Sequence, residues 1–170
     1  MLHIVLYQPE ISPNTGNIIR TCSATGAKLH IIRPIAFELK PKFLKRPAAG
    51  RLLSDIEHEV HESYEEFEKK YGQETIYYVT RYGQQYHSSP DYSKHKEDIF
   101  LMFGRESTGI PKEIMRNKLD MCVRIPMTPH ERSLNLANTV MLMSYEVLRQ
   151  RGYEGLSKFE VQKGKDWILK

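Results

Sequence analysis

Five short apolar runs constrain this chain more than any other feature: HIVLY (3–7), LHII (29–32), IYYVT (76–80), IFLMF (99–103) and MCVRI (121–125). They are rich in β-branched and aromatic residues, near-continuous rather than alternating, and bounded by proline or glycine. A strand with one wet face alternates, whereas a strand covered on both faces reads as an unbroken apolar run. Helical stretches separate the runs. TGNIIRTCSATG ends at Gly26, a natural left-handed terminator. HESYEEFEKKY is amphipathic through Tyr64, Phe67 and Tyr71. IPKEIMRN places Pro111 for a first helical turn, and a last helix is predicted from about Ser133 to Arg151. Strands alternating with helices predict an α/β layer fold with a mostly parallel sheet covered on both faces.

At 170 residues and 40% hydrophobic content, the chain suits one globular domain with a proper core, over residues 1–151. Residues 152–170 form a basic, weakly patterned tail that carries the single tryptophan, Trp167. The net charge of +4 is compatible with a polyanionic partner without demanding one. Cys22 and Cys122 sit in apolar elements without ligand spacing and are expected to be reduced core thiols. Glu10 and Pro9 follow MLHIVLYQ too soon for a secretory signal. No apolar run approaches the roughly 20 residues of a membrane span. A cytoplasmic protein without a membrane partner is expected.

On a wheel of the last helix, Asn135, Asn138, Thr139, Glu146 and Arg149 share one side. Leu134, Ala137, Val140, Met141, Met143, Tyr145, Val147 and Leu148 cover most of the rest. So wide an apolar arc exceeds what one sheet face needs, and a homodimer is expected to cover the excess.

Three strand-to-helix loops are rich in functional groups: QPEISPNTGN, GRESTGIP and PMTPHERSLN. Taken singly, Asn14 and Ser133 could be helix N-caps, and Arg20 and Arg132 solvated charges. Three such loops at the carboxyl edge of one sheet point instead to a ligand site. GRESTG has the glycine spacing of a P-loop, but Ile110-Pro111 replace the lysine and hydroxyl that phosphate and magnesium need. The first loop lacks the dinucleotide-binding glycine pattern. EHEVHE (57–62) offers His58, Glu59, His61 and Glu62, but is not H-E-x-x-H. It is expected to be a solvated amphipathic segment, with no metal. The stretch KPKFLKRPAAGR contributes Lys40, Lys42, Lys45, Arg46 and Arg51, either a solvated loop or a patch for an RNA backbone.

PNTGNIIR, FGRESTGIP and IPMTPHERSLNL…YE, in this order and at these separations, resemble the three motifs of the SPOUT superfamily. They are most similar to its small stand-alone tRNA 2′-O-methyltransferases, the TrmL/YibK group. The resemblance spans Leu2 to about Gln150. The segment PAAGRLLSDI departs from the Ala-Gly-Leu-Asp-Tyr that the group shows there.

The resemblance implies a mostly parallel sheet of five or six strands with a C-terminal trefoil knot, a homodimer, and S-adenosyl-L-methionine bound in the knot. It implies that the cofactor touches Val79, Gly104, Ile125 and Ser133, with Thr80, Met127 and Leu134 as neighbours. It assigns the functional polar positions to Asn14, Arg20, Glu106, Ser133 and Asn135. The implied reaction methylates the ribose 2′-OH of the wobble nucleotide of tRNA, a cytidine or a uridine derivative. Another tRNA or rRNA site, or RNA binding without catalysis, are the alternatives. Arginine stays protonated in ordinary protein settings. Arg20 is therefore read as an anchor for phosphate or ribose oxygen, joined by Arg132 and the 40–51 stretch in binding RNA. Glu106 is read as orienting loops, and the general base is left open.

Overall fold

The computed structural model describes residues 1–94 and 97–170. Seven strands form one sheet: β1 (Leu2–Tyr7), β2 (Lys28–Ile32), β3 (His58–His61), β4 (Thr75–Val79), β5 (Gln85–Tyr86), β6 (Ile99–Phe103) and β7 (Cys122–Arg124). Five helices accompany them: α1 (Ser12–Thr25), α2 (Pro41–Leu44), α3 (Tyr64–Tyr71), α4 (Lys112–Met115) and α5 (Leu136–Gln150). The strand order is β3-β2-β1-β6-β4-β7-β5, and every strand pair is parallel. All carboxyl ends therefore share one edge, where the loops after β1, β4, β6 and β7 emerge.

The five predicted runs are the strands whose two faces are covered. Ile4, Leu6, Leu29, Ile31, Leu101 and Phe103 pack on one side with Ile18 and Ile19 of α1 and Val140, Met143 and Val147 of α5. Val5, Tyr7, Ile32, Phe100 and Met102 face the other side with Phe67 of α3 and Met115 of α4. Burial of each large apolar side chain contributes about 1.5–3 kcal/mol before chain entropy is counted. Cys22 and Cys122 are free, buried thiols, and burial pushes the Cys22 thiol up to about 12. Among the described residues, no helix is long and apolar enough to cross a membrane.

Two strands lie beyond the five runs, so the sheet has seven rather than five or six. β3 comes from EHEVHE, which is an edge strand on β2 and not a solvated amphipathic segment. β5 has only two residues, Gln85 and Tyr86, both in register with β7. β7 thereby runs between β4 and β5, which residues 80–84 join directly. Gly83 makes this passage possible: a Cβ there would lie 2.5 Å from the carbonyl carbon of Val123. Helix α5 begins at Leu136 with Asn135 as N-cap, so Ser133 and Leu134 remain in the preceding loop. On α5, Met141, Leu142 and Tyr145 are exposed.

β1, β2 and β3 each contribute one histidine to a buried row. His3 Nδ1 is 2.9 Å from His30 Nε2, and His30 Nδ1 is 3.0 Å from His61 Nε2. At one end His3 Nε2 faces Asp98 Oδ2 at 3.3 Å, an electrostatic contact rather than an aligned hydrogen bond. At the other end His61 Nδ1 lies farther, 3.9 Å, from Glu59 Oε1, so the nearer Asp98 charge favours a proton on Nε2 of each ring, which leaves all three neutral. Burial, reinforced by His3 and His61, lowers the His30 pKa from 6.5 to about 3. Burial also lowers those of His3 and His61.

Unfolded chains take up protons at these histidines near pH 6.5, while the folded chain does not. Their contribution to stability is therefore complete above that pH and is lost as pH falls from 6.5 toward 3. The urea midpoint should drop between about pH 7.5 and pH 5, and His30→Leu should flatten the drop. A wild-type midpoint that does not change over this interval would contradict the neutral row.

Candidate active site

The carboxyl edge of the sheet carries a cavity of about 790 Å³ between the ends of β4, β6 and β7. That volume falls within the range of small-molecule sites. Val79 and Thr80 line it from the end of β4, Gly104 from the end of β6, and Ile125, Met127, Ser133 and Leu134 from the chain after β7. All seven positions singled out for a cofactor thus meet in one cavity. Glu106, Arg132 and Asn135 line it as well. Asn14 and Arg20 do not.

The turn after β6 is tight. Arg105 N–H donates to Gly109 O at 3.2 Å, and Gly109 N–H returns a bond to Arg105 O at 2.9 Å. The chain doubles back so closely that a Cβ on Gly104 would sit 2.1 Å from the Gly109 carbonyl carbon. Gly109 itself has φ +72, in the left-handed region. GREST-G is therefore a closed turn that presents Glu106 and Ser107 toward the loop after β1.

That presentation makes a reciprocal clasp. The Glu106 carboxylate accepts the backbone N–H of Glu10 at 2.8 Å, that of Ile11 at 3.1 Å, and Asn14 Nδ2 at 3.1 Å. In return the Glu10 carboxylate accepts Ser107 N–H and Ser107 Oγ, both at 2.8 Å. These two donors hold the Glu10 carboxyl below the usual carboxylate range. Asn14 Oδ1 then accepts Asn135 Nδ2 at 3.0 Å, while Asn135 Oδ1 caps Asn138 N–H at 3.1 Å. One hydrogen-bonded chain thus links the loop after β6, the start of α1 and the start of α5. Asn14 is buried inside α1, whose N-cap is Ile11, and so caps no helix. Ser133 is exposed and is not the cap of α5.

Arg20 stands apart. It is exposed on α1 and makes no hydrogen bond or ion pair with the described residues. Lys40, Lys42, Lys45, Arg46 and Arg51 are also exposed. Their segment is fixed to α1: Leu44 and Ala48 are buried, and Pro47 lies where a Cβ on Gly16 would meet it at 2.4 Å. Arg51 Nε donates to Ser23 Oγ at 2.6 Å, three residues along α1 from Arg20 and so on an adjoining face. Lys40 pairs with Glu38 at 2.8 Å.

Sequence reading missed Glu10, Ser107, Arg81 and Tyr82. Glu10 was visible inside QPEISPNTGN, but its role depends on a turn nearly a hundred residues away. For a metal, His30, Glu59 and His61 are the described residues that come together. The facing nitrogens of the two rings bond to each other, Glu59 is bound by Lys28, Lys70 and Tyr71, and His61 Nδ1 lies 3.9 Å from Glu59 Oε1. Burial alone would raise the Glu59 carboxyl, but those hydrogen bonds outweigh it and hold it at about 2.

Residues 1–145 match the SpoU rRNA Methylase family. A Bacillus subtilis (strain 168) relative, provisionally named tRNA (cytidine(34)-2′-O)-methyltransferase, is 49% identical, covering 91% of this chain and 96% of its own. The Escherichia coli (strain K12) tRNA (cytidine(34)-2′-O)-methyltransferase is 41% identical, with 91% and 97% covered. A solved structure described in terms of 2-OH methylation of C/U34 on tRNA superposes with a TM-score of 0.81 at 35% identity. It covers 91% of this chain and 98% of its own.

The clasp makes a local prediction. Glu106→Gln turns one acceptor oxygen into a donor facing other donors, leaving part of the triple contact unmade. Amide exchange at Glu10 and Ile11 should accelerate by roughly tenfold, while exchange in β1 is unchanged. Unaltered exchange at both amides would mean that the carboxylate does not hold this loop.

Proposed function

Because this chain belongs to the SpoU rRNA Methylase family, we propose that it transfers a methyl group from S-adenosyl-L-methionine to the ribose 2′-OH of nucleotide 34, the wobble position of tRNA. The observation that carries the reading is the cavity itself, into which Val79, Gly104, Ile125 and Ser133 converge from three strand ends. Its lining fits the methyl donor. Val79, Ile125, Met127 and Leu134 offer apolar surface for a purine. The hydroxyls of Thr80 and Ser133 and the backbone N–H groups of the surrounding loops offer polar contacts to a ribose and an amino acid. When bound, S-adenosylmethionine supplies a methyl group on a sulfonium, an electrophile strong enough for a ribose oxygen to attack.

The chain's own work in this reading is alignment. Ser133 and Asn135 border the cavity where the ribose must arrive. Asn14 and Glu106 hold Asn135 and the loop after β1 in register. The carboxylate of Glu106 already accepts three donors, which suits a positioning group better than a base. Arg20, exposed and without a hydrogen bond or ion pair among the described residues, anchors an incoming phosphate or ribose oxygen. Arg132 and the 40–51 cations extend that grip along the RNA backbone, in keeping with their exposure.

The same reading includes a homodimer, supported by Met141, Leu142 and Tyr145 exposed on α5. It includes a trefoil knot, supported by the passage of β7 between two strands that a five-residue segment, 80–84, joins. It locates the protein in the cytoplasm with its tRNA.

Unmodified tRNA incubated with the protein and isotopically labelled methyl donor tests the reading. A ribose methyl group should appear at nucleotide 34; labelling of a base, or none at all, would refute it. Arg20→Ala should lower turnover by roughly a hundredfold, since lost alignment is costly, while calorimetry shows donor binding preserved. Arg20→Lys should rescue little, because a point charge does not reproduce a planar fork. Near-normal turnover in the alanine variant would remove Arg20 from the site.

A further inference from the structure

The turn that joins β4 to β5 carries a tyrosine in an unusual setting. Tyr82 is 67% exposed, yet its backbone and its ring are both fixed. Thr80 N–H donates to Val123 O at 3.0 Å, Gly83 N–H to Thr80 O at 3.2 Å, and Tyr82 N–H to Thr80 Oγ1 at 3.3 Å. Arg124 Nη1 adds a bond to Arg81 O at 3.0 Å. The Arg81 guanidinium lies over the Tyr82 ring, 4.8 Å from its centre, and Arg81 Nη2 donates to the phenol oxygen at 2.8 Å. One face of the ring is thus backed by a cation, and its exposure leaves the other open.

Location gives this arrangement meaning. Arg81 and Tyr82 line the same cavity as Gly104 and Ser133, and both are exposed. A ribose brought to that cavity carries its base with it, joined by a single glycosidic bond, and the base needs a surface of its own beside the donor. A flat, rigid ring with a cation behind it meets that need. Nucleobases stack on aromatic rings whatever their identity, and arginine adds to the attraction.

We propose that Tyr82, backed by Arg81, is the stacking platform for the base of the nucleotide being methylated, a nucleobase site beside the methyl donor in the same cavity. The proposal rests on the methyltransferase reading. A platform of this kind accepts a cytosine and a uracil alike, so Tyr82 positions the nucleotide rather than choosing it.

The test is a binding cycle with an anticodon stem-loop RNA that carries either the base or an abasic ribose at position 34. Wild type, Tyr82→Ala and Tyr82→Trp are each titrated with both RNAs in the presence of S-adenosylhomocysteine. Tyr82→Ala should weaken binding of the intact RNA by roughly tenfold. Tyr82→Trp should bind it as wild type does. Removing the base should weaken binding to wild type by a similar factor and cost the alanine variant nothing further. S-adenosylhomocysteine affinity should be the same in all three proteins. Wild-type affinity in the alanine variant, or an equal loss on the abasic RNA, would overturn the proposal. So would a matching loss of S-adenosylhomocysteine affinity, which would assign the ring to the donor's adenine. Absence of methyl transfer by the wild type would instead refute the underlying reading, and the binding cycle reports on Tyr82 independently of that result.

Discussion

The Glu106 carboxylate is the contact on which the site depends. Its oxygens take two backbone N–H groups from the loop after β1 and the amide of Asn14. Without it, the first turn of α1 would be tied to the loop after β6 mainly by the bonds from Ser107 to Glu10. Partly shielded carboxylates that accept several N–H groups are strong, directional anchors. Because Asn14 passes the link on to Asn135, and Asn135 caps α5, the anchor also sets where the last helix starts. Three loops from distant parts of the chain therefore behave as one polar unit on a rigid edge. The chain between β7 and Asn135 is different. Residues 128–134 are exposed and outside regular structure, which leaves this part of the rim free to adjust to a ligand.

Much of this was legible in the sequence, for a physical reason. Central parallel strands must be apolar on both faces, so β1, β2, β4, β6 and β7 announce themselves as unbroken runs. β3 escaped because an edge strand needs no such run, and its buried His61 is satisfied by His30 across the strand rather than by local sequence. β5 is too short, at two residues, to carry any period. The seven cavity residues at 79, 80, 104, 125, 127, 133 and 134 were found through the family motifs, which encode the loops jointly.

Local rules misassigned the asparagines. Asn14 and Ser133 have the right chemistry for N-caps, yet Ile11 and Asn135 hold those places. A cap needs only a nearby oxygen, whereas Asn14 is drawn inward by an acceptor more than ninety residues away, Glu106. Arg20 shows the limit from the other side. Its place in the motif suggested an anchor for phosphate or ribose oxygen, and it lies exposed on α1, beside a basic segment that Gly16 allows to sit close. Among the described residues it makes no hydrogen bond or ion pair, as the RNA anchor proposed for it would require, and no intramolecular rule could reveal that.

The claim that the loops act as one unit is most directly tested by a double-mutant cycle across the Asn14–Asn135 hydrogen bond. Asn135→Ser keeps a capping oxygen for α5 while removing the donor to Asn14. Asn14→Ala removes the acceptor. S-adenosylhomocysteine affinity is measured for wild type, both single variants and the pair. Each single variant should weaken binding, and the double variant should be little worse than either, a coupling of about 1 kcal/mol or more. Strictly additive losses would show that the loops contribute independently and would contradict the account.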